Sequence, residues 1–247
     1  MLVTEASPRI EKLRTLIRDS KPAVCVERAR LITLSYRETE NDPIVVRKAK
    51  ALARILNEMT IYISDGELIV GNLASHPRWA PVFPETAAVW VSEQLDYFDK
   101  REKYRFDVPE ETKKELQEQI LPYWKGKTVQ ERALAMLPEE TRQVFDMEYP
   151  VVSPTLYLRN SVGHLIVDYP KVLRSGFAGI YREIEEQEKR LDQTDPEAIA
   201  KLQFYCAGKI VAKAAVNFAH RYAAKARELA RTTADQERRR ELEKIAE

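Results

Sequence analysis

Residues 65–72 read Asp-Gly-Glu-Leu-Ile-Val-Gly-Asn, and a Phe-Pro-Glu tripeptide follows at residues 83–85. An Asp-Gly pair is typical of a tight turn, and the apolar residues on both sides of it are typical of short strands. This pattern predicts a β-hairpin over residues 61–70. In the tripeptide, a proline followed by a carboxylate favours the first turn of a helix.

Helix signals dominate the rest of the chain. Only 7 of the 247 residues are glycine, whereas the good helix formers Ala, Leu, Glu, Lys and Arg are abundant. Capping residues and prolines mark where helices begin. Predicted helix starts are Ser7-Pro8, about Val26, Asp42-Pro43, Pro84, Asp168, Asp195-Pro196 and Asp235. The sequence therefore predicts a mainly α fold with a few short strands.

Apolar stripes indicate which helix faces are buried. In the third helix the predicted stripe is Val46, Ala49, Leu52, Ala53 and Leu56. In the long helix from about 195 to 231 it is Ile199, Leu202, Cys206, Ile210, Ala214, Phe218, Tyr222, Ala226 and Leu229. Arg238-Arg239-Arg240 is flanked by glutamates and is interpreted as a solvated helix face. The last helix is expected to run to Glu247, as it would in a truncated protein.

Composition excludes several classes of function. Lys plus Arg number 40 and Asp plus Glu number 39, so nothing favours nucleic acid or an anionic membrane as a partner. No apolar run is long enough for a membrane span, and the N-terminus lacks a secretory pattern. Cys25 and Cys206 form no disulfide framework, and the three histidines are scattered, so no metal site is predicted. A cytoplasmic protein is expected.

A second run of residues joins the first. It extends from Gly163-His164-Leu165-Ile166-Val167-Asp168-Tyr169 through Lys171-Val172-Leu173 to Gly176-Phe177-Ala178-Gly179-Ile180. Together with residues 65–72 and 83–85, it resembles the N-terminal part of the glycyl radical enzymes, in the pyruvate formate-lyase-like and glycerol dehydratase-like branch. The resemblance covers nearly the whole chain, with the motifs in the same order.

The resemblance implies that residues 1–247 are an N-terminal segment of the pyruvate formate-lyase-like domain. Such a segment is the helical part around a ten-stranded α/β-barrel, and strands of that barrel would begin near residues 61–70 and 150–167. Alone it would leave the barrel incomplete. The remainder of the enzyme, or a companion chain, is therefore an expected partner.

The implied function is anaerobic radical chemistry. In the family, a separate radical S-adenosylmethionine activating enzyme installs a glycyl radical, and no organic cofactor is bound. The radical passes to a cysteine, and the complete enzyme is expected to be a homodimer. The implied reaction is dehydration of a small hydroxylated substrate. Alternatives are carbon–carbon cleavage of a 2-oxo acid, as in pyruvate formate-lyase, and a non-catalytic helical remnant that serves as an interaction module.

The resemblance also suggests a substrate-binding site. His164 matches a family histidine that hydrogen-bonds a substrate hydroxyl, and imidazole suits that role near neutral pH. Asn160 and Asp168 are weaker pocket candidates, since all three would share one face if the segment were helical. Asp168 could instead cap the next helix, and Asn160 could be a surface amide.

Neither radical motif of the family is found in the chain, so no catalytic residue is assigned to it. Cys25 precedes Val26-Glu27, but the family's Gly-Cys-x-Glu motif requires a glycine where Val24 stands. A small buried thiol is the preferred interpretation. Arg174-Ser175-Gly176-Phe177 lacks the valine of the glycyl radical motif, and close helix packing is expected at Gly176 and Gly179 instead.

The proline-rich segment holds three further candidates, Arg78, Trp79 and Glu85. Arg78 beside Trp79 could line an entrance or pair with a carboxylate. Glu85 could cap its helix or pair with an arginine. A structural role is favoured over a substrate contact for these side chains.

Overall fold

The computed structural model describes residues 6–145 and 166–247. The fold is mainly helical with one small sheet, as the sequence predicts. The helices, in chain order, are α1 (Pro8–Asp19), α2 (Glu27–Glu38), α3 (Ile44–Glu58), α4 (Pro84–Gln94), α5 (Glu110–Glu115), α6 (Leu121–Trp124), α7 (Val129–Ala135), α8 (Glu139–Phe145), α9 (Tyr169–Lys189), α10 (Ala198–Thr232) and α11 (Gln236–Ile245). A π-helical turn, Leu116–Ile120, joins α5 to α6. In the described ranges, no helix has both the length and the apolar character needed to cross a membrane.

Several predicted helix starts are confirmed by their caps. The Ser7 hydroxyl accepts a hydrogen bond from the Ile10 amide at the start of α1. Asp235 accepts from two amides of the first turn of α11. Pro84 occupies the first turn of α4 with Glu85 beside it. These groups satisfy amide donors that a helix N-terminus leaves without an intrahelical partner.

The main core lies between α2, α3, α4 and the segment from Leu116 to Trp124. The indole of Trp124 is satisfied within this core, because its Nε1 donates to Thr33 Oγ1 at 2.8 Å, and Thr33 Oγ1 donates to the Ala29 carbonyl at 2.6 Å. The C-terminal half of α10 packs on α3, and a second cluster joins α10 to α11.

Two strands that the sequence did not reveal form the sheet. β1 (Ala23–Cys25) pairs in parallel with β2 (Trp79–Pro81). On the other side of β1, the Val24 amide donates to the Asp107 carbonyl at 2.8 Å. The partner of β1 lies more than fifty residues away, so no local pattern marks this pairing.

The predicted hairpin at residues 61–70 is wrong. Residues 60–74, here called the motif loop, contain a tight turn in which the Glu67 amide donates to the Ser64 carbonyl at 3.2 Å, but no strand. Gly66 takes a φ of 91° in this turn, a backbone conformation that favours glycine. The loop carbonyls accept from distant side chains instead of from a partner strand.

Arg238 supplies two of those contacts. Its guanidinium donates to the Ser64 carbonyl at 3.0 Å and to the Glu67 carbonyl at 2.8 Å. It also pairs with Glu241 at 2.9 Å. Only 8% of Arg238 is exposed, so the interpretation of the arginine triplet as a solvated face is wrong for this residue. Arg239 and Arg240 are exposed, as that interpretation requires.

The two ends of the motif loop are held by other side chains. Glu27 accepts from the Thr60 amide at 3.0 Å and from its hydroxyl at 2.6 Å. Asn72 Nδ2 donates to the carbonyls of Thr60 and Ala74, at 2.8 and 2.7 Å, while its oxygen accepts from the hydroxyl of Tyr222 on α10. The loop is thus irregular in backbone yet fixed in position.

The predicted apolar stripes are only partly buried. In α3 the buried residues are Val46, Ala49, Ala51 and Ile55, whereas Leu52 is exposed. In α10 the C-terminal part of the stripe is buried, at Ala214, Tyr222 and Ala226. The N-terminal part is not, since Ile199, Leu202 and Cys206 are exposed in the described part of the chain.

Replacing Arg238 with alanine should lower the free energy of unfolding by about 3 kcal/mol, because two loop carbonyls lose their donor and the partly buried carboxylate of Glu241 keeps only Arg9. Chemical denaturation of the purified chain measures this. Arg240→Ala, a neighbouring exposed arginine on the same helix, should change stability by less than about 0.5 kcal/mol. Equal effects of the two substitutions would contradict the assignment of Arg238 as the residue that holds the motif loop.

A second prediction concerns pH. Hydrogen bonds from Arg9 and Arg238 lower the pKa of Glu241 from its ordinary 4.5 to about 2. A depressed carboxyl pKa stabilises the fold above pH 4.5, and this stabilisation is lost as the pH falls from about 4.5 to about 2. Glu241→Gln should therefore lower stability at pH 7 and flatten this acid-side dependence. Denaturant midpoints at pH 7 and pH 3 give the comparison, with Glu243→Gln, an exposed neighbour, retaining the wild-type dependence.

Candidate functional site

The structure covers one of the three predicted substrate-binding residues. His164 and Asn160 lie outside the described residues, so their proposed contacts remain predictions. Asp168 is the N-cap of α9, and its carboxylate accepts from the Lys171 amide at 3.0 Å. The cap that the sequence offered as an alternative is therefore present.

α9 begins directly after this region and bends sharply. Gly176 has φ 61° and ψ 172°, which interrupts the helix. The first arm folds back far enough for Lys171 Nζ to lie 2.8 Å from a carboxylate oxygen of Glu183. Among the described residues, a Cβ on Gly176 would meet nothing within 4 Å, so the expectation of close packing at this position is wrong. A Cβ on Gly179 would lie 2.9 Å from Ser175, so this glycine lets the two arms approach.

A groove of about 540 Å³ lies beside α2 and α3. Buried side chains of α2 and α3 form its floor, among them Ile32, Ala51 and Ile55. Leu52, Leu73 and other partly exposed side chains line it as well. The lining is mainly apolar, and its described polar side chains are Arg28, Tyr36, Lys48, Asn72 and Glu85.

An ion pair lies in the wall of this groove. Arg28 on α2 makes two hydrogen bonds to the carboxylate of Glu85 on α4, at 2.6 and 3.2 Å, and its guanidinium stacks 3.7 Å from the centre of the Phe83 ring. Arg28 also donates to the Val82 carbonyl at 3.3 Å. Two-point pairing and stacking fix the guanidinium plane. The pair therefore joins α2 to the first turn of α4.

The electrostatics of the groove argue against acid–base chemistry by its described lining. The charges of Arg28 and Glu85 neutralise each other. Burial raises the pKa of Tyr36, so its hydroxyl stays protonated at neutral pH. The groove can instead bury apolar side chains of another molecule or segment.

The other sequence candidates have structural roles. Glu85 pairs with an arginine, as one interpretation held, but the arginine is Arg28. Arg78 donates to the carbonyls of Ile17 and Ser20 at 3.3 and 3.0 Å, and so closes the C-terminal end of α1. Cys25 is buried, with its sulfur 3.4 Å from the Ser75 hydroxyl, which confirms the interpretation of a small buried thiol.

Sequence reasoning missed the contacts of Arg28, Tyr222 and Arg238. Each partner lies at least fifty residues away, so no periodicity reveals it. One local signal was available for Arg238, since Glu241 follows three residues later, a spacing at which helical side chains meet. Nothing comparable marks Arg28 or Tyr222.

Comparison with protein families identifies one match over nearly the whole chain. Residues 4–247 match the model described as pyruvate formate lyase-like. The probable dehydratase YbiW of Escherichia coli (strain K12) is 37% identical over 232 residues, which are 94% of this chain and 28% of that protein.

Solved structures match at similar coverage. The glycerol-bound form of the B12-independent glycerol dehydratase from Clostridium butyricum superposes with a TM-score of 0.92 at 42% identity, covering 98% of this chain and 30% of that one. A glycyl radical enzyme from Archaeoglobus fulgidus superposes with a TM-score of 0.85 at 36% identity, covering 96% and 30%. The chain thus spans between 28% and 30% of the length of these three relatives.

Two arginines of α2 each pair with a glutamate, Arg28 with Glu85 and Arg30 with Glu115. Arg28→Ala should lower the free energy of unfolding by about 2 kcal/mol, because it leaves the Glu85 carboxylate without its partner and removes the stacking on Phe83. The side chain of Arg28 is 18% exposed, whereas that of Arg30, which pairs with Glu115, is 47% exposed. Arg30→Ala should therefore cost less than about 1 kcal/mol. Denaturation of both variants tests the ranking, and a reversed order would contradict it.

Proposed function

Because this chain belongs to the pyruvate formate-lyase-like family, we propose that it forms the N-terminal part of an anaerobic glycyl radical lyase. The complete enzyme would eliminate water from a small hydroxylated substrate. The observation that carries this proposal is the 0.92 TM-score, at 42% identity, with a glycerol dehydratase that holds glycerol. The probable dehydratase from Escherichia coli supports the same reaction class.

We assign the substrate contact in this chain to His164. A neutral imidazole can donate to a substrate hydroxyl from one ring nitrogen and accept from the other. Such a contact would hold the hydroxyl that leaves as water in a fixed orientation. The imidazole would also donate a proton to that oxygen as it leaves. Asn160 and Asp168 would help to orient the substrate, and the cap of α9 uses the Oδ1 atom of Asp168.

The radical centres are assigned to protein other than these 247 residues. The sequence holds no Gly-Cys-x-Glu and no Arg-Val-x-Gly-aromatic motif. A glycyl radical, installed by a radical S-adenosylmethionine activating enzyme, would supply the hydrogen-atom abstraction that starts the reaction. The proposal therefore requires further polypeptide in the same or a companion chain. It also places the complete protein in the cytoplasm as a homodimer.

A non-catalytic role is the second candidate, and the lack of both radical motifs favours it. In that case the chain would be a helical interaction module that descends from such an enzyme. The neighbouring reading frame distinguishes the two. A downstream frame with both motifs supports the enzyme, and unrelated neighbours support the module.

Substitution of His164 tests the assigned role. In an enzyme completed with the C-terminal part, His164→Ala should lower kcat by about 10²-fold or more, since the leaving hydroxyl loses its hydrogen-bond partner. Turnover of glycerol or 1,2-propanediol under anaerobic conditions is the measurement. His220→Ala, at an exposed position of α10, is the matched control and should leave turnover unchanged. Wild-type kinetics for the His164 variant would remove this residue from the substrate site.

The proposed role of Asp168 in substrate binding is tested with two variants, because its side chain also caps α9. Asp168→Ser preserves a side-chain oxygen at the N-cap, whereas Asp168→Ala removes it. If Asp168 orients substrate, both variants should lower kcat/KM by at least about tenfold. If kcat/KM falls in the alanine variant alone, Asp168 acts only as a helix cap and does not orient the substrate.

A further inference from the structure

The motif loop displays apolar side chains to solvent. Ile69 is 95% exposed and Leu73 is 81% exposed, and Leu68 is about half exposed. An aliphatic side chain that is almost fully exposed gains nothing from folding, and clusters of such residues mark surfaces that bind other protein. Residues 68–73 are therefore the apolar tip of the motif loop.

The backbone that carries this exposed tip is held in place by hydrogen bonds. Arg238 binds the carbonyls on both sides of the Ser64–Glu67 turn, and Arg9 donates to the Gly66 carbonyl at 3.1 Å. At the other end, Asn72 binds the backbone within the loop and accepts from Tyr222. These polar contacts fix the backbone of the loop, and so the apolar tip is preorganised for contact.

The tip is continuous with the groove between α2 and α3. Leu73 and Asn72 line both the loop and the groove, and the exposed side chain of Leu52 extends the apolar surface onto α3. Lys48 lies at the same groove, and within the described ranges no carboxylate pairs with it. The combined surface therefore suits a partner that brings apolar side chains together with a carboxylate for Lys48.

We propose that the apolar tip and the groove dock the polypeptide that forms the other 70% or so of the longer relatives' length. This inference rests on the proposed function. Its support is that 98% of this chain superposes on only 30% of the Clostridium butyricum enzyme, so the same fold there is one part of a much longer chain. A preorganised apolar loop beside an apolar groove is the surface such a part needs for the rest of its protein.

Co-expression tests this docking. The tagged chain is produced together with the portion of the Clostridium butyricum glycerol dehydratase that follows its matching region, and the copurified amounts are compared. The wild-type chain should capture this portion at about one to one. The double variant Ile69→Asp/Leu73→Asp should reduce capture at least tenfold, because two carboxylates would have to lose their hydration at the contact. Lys48→Glu should reduce it severalfold.

Met136→Asp is the matched control. Met136 is 80% exposed on the surface after α7 and does not line the groove, so this variant should capture the portion like wild type. Circular dichroism of each isolated chain should be unchanged, since no substituted side chain is buried.

The outcomes separate the docking surface from the proposed function. Capture by wild type and control but not by the double variant supports the surface. Equal capture by all chains overturns the surface and leaves the proposed function standing. Absence of capture by every chain overturns both. Self-association of the wild type that the double variant abolishes, without capture, overturns the proposal in favour of a second copy of this chain.

Discussion

The described structure depends on one constraint, which is that the carbonyls of an irregular loop accept hydrogen bonds from side chains far away in sequence. A loop without strand or helix partners must satisfy its buried polar backbone groups by other means. Here Arg238 of α11 and Arg9 of α1 donate to loop carbonyls. Glu27 of α2 accepts from the Thr60 amide, and Tyr222 of α10 donates to the side chain of Asn72. The same contacts connect α2, α10 and α11, so the motif loop joins elements that are distant along the chain.

That arrangement separates two tasks within the chain. The α2–α3 core and the motif loop form one body that hydrogen bonds hold together. The region around residues 160–168, by contrast, carries the side chains to which we assign the substrate, and it leads into a helix that folds back at Gly176. The proposed substrate contacts and the ion pairs of the body, such as Arg28 with Glu85, thus lie on different segments, and Asp168 combines a proposed contact with the cap of α9.

Local signals in the sequence predicted much of this fold. Ser7, Pro84, Asp168 and Asp235 each mark a helix start, because a cap depends only on residues within one turn. The predicted hairpin is wrong because the conformation of residues 61–70 depends on contacts far away in sequence, such as those of Arg238 on α11. Likewise, the burial of Arg238 and the β1–β2 pairing are set by tertiary contacts. For the candidate site, two roles of Asp168 could be predicted from the sequence, a substrate contact and a helix cap. The structure shows the helix cap.

The long helix α10 has a consequence for the order of folding. Its 35 residues extend roughly 50 Å, and its two halves have different surroundings. The C-terminal half finds its partners in α3 and α11, both within this chain. Ile199, Leu202 and Phe204, near its N-terminal end, are exposed to water in the described structure. During synthesis on a ribosome, the contacts of the C-terminal half can form as soon as α11 has emerged, since both partners of that half lie within these residues.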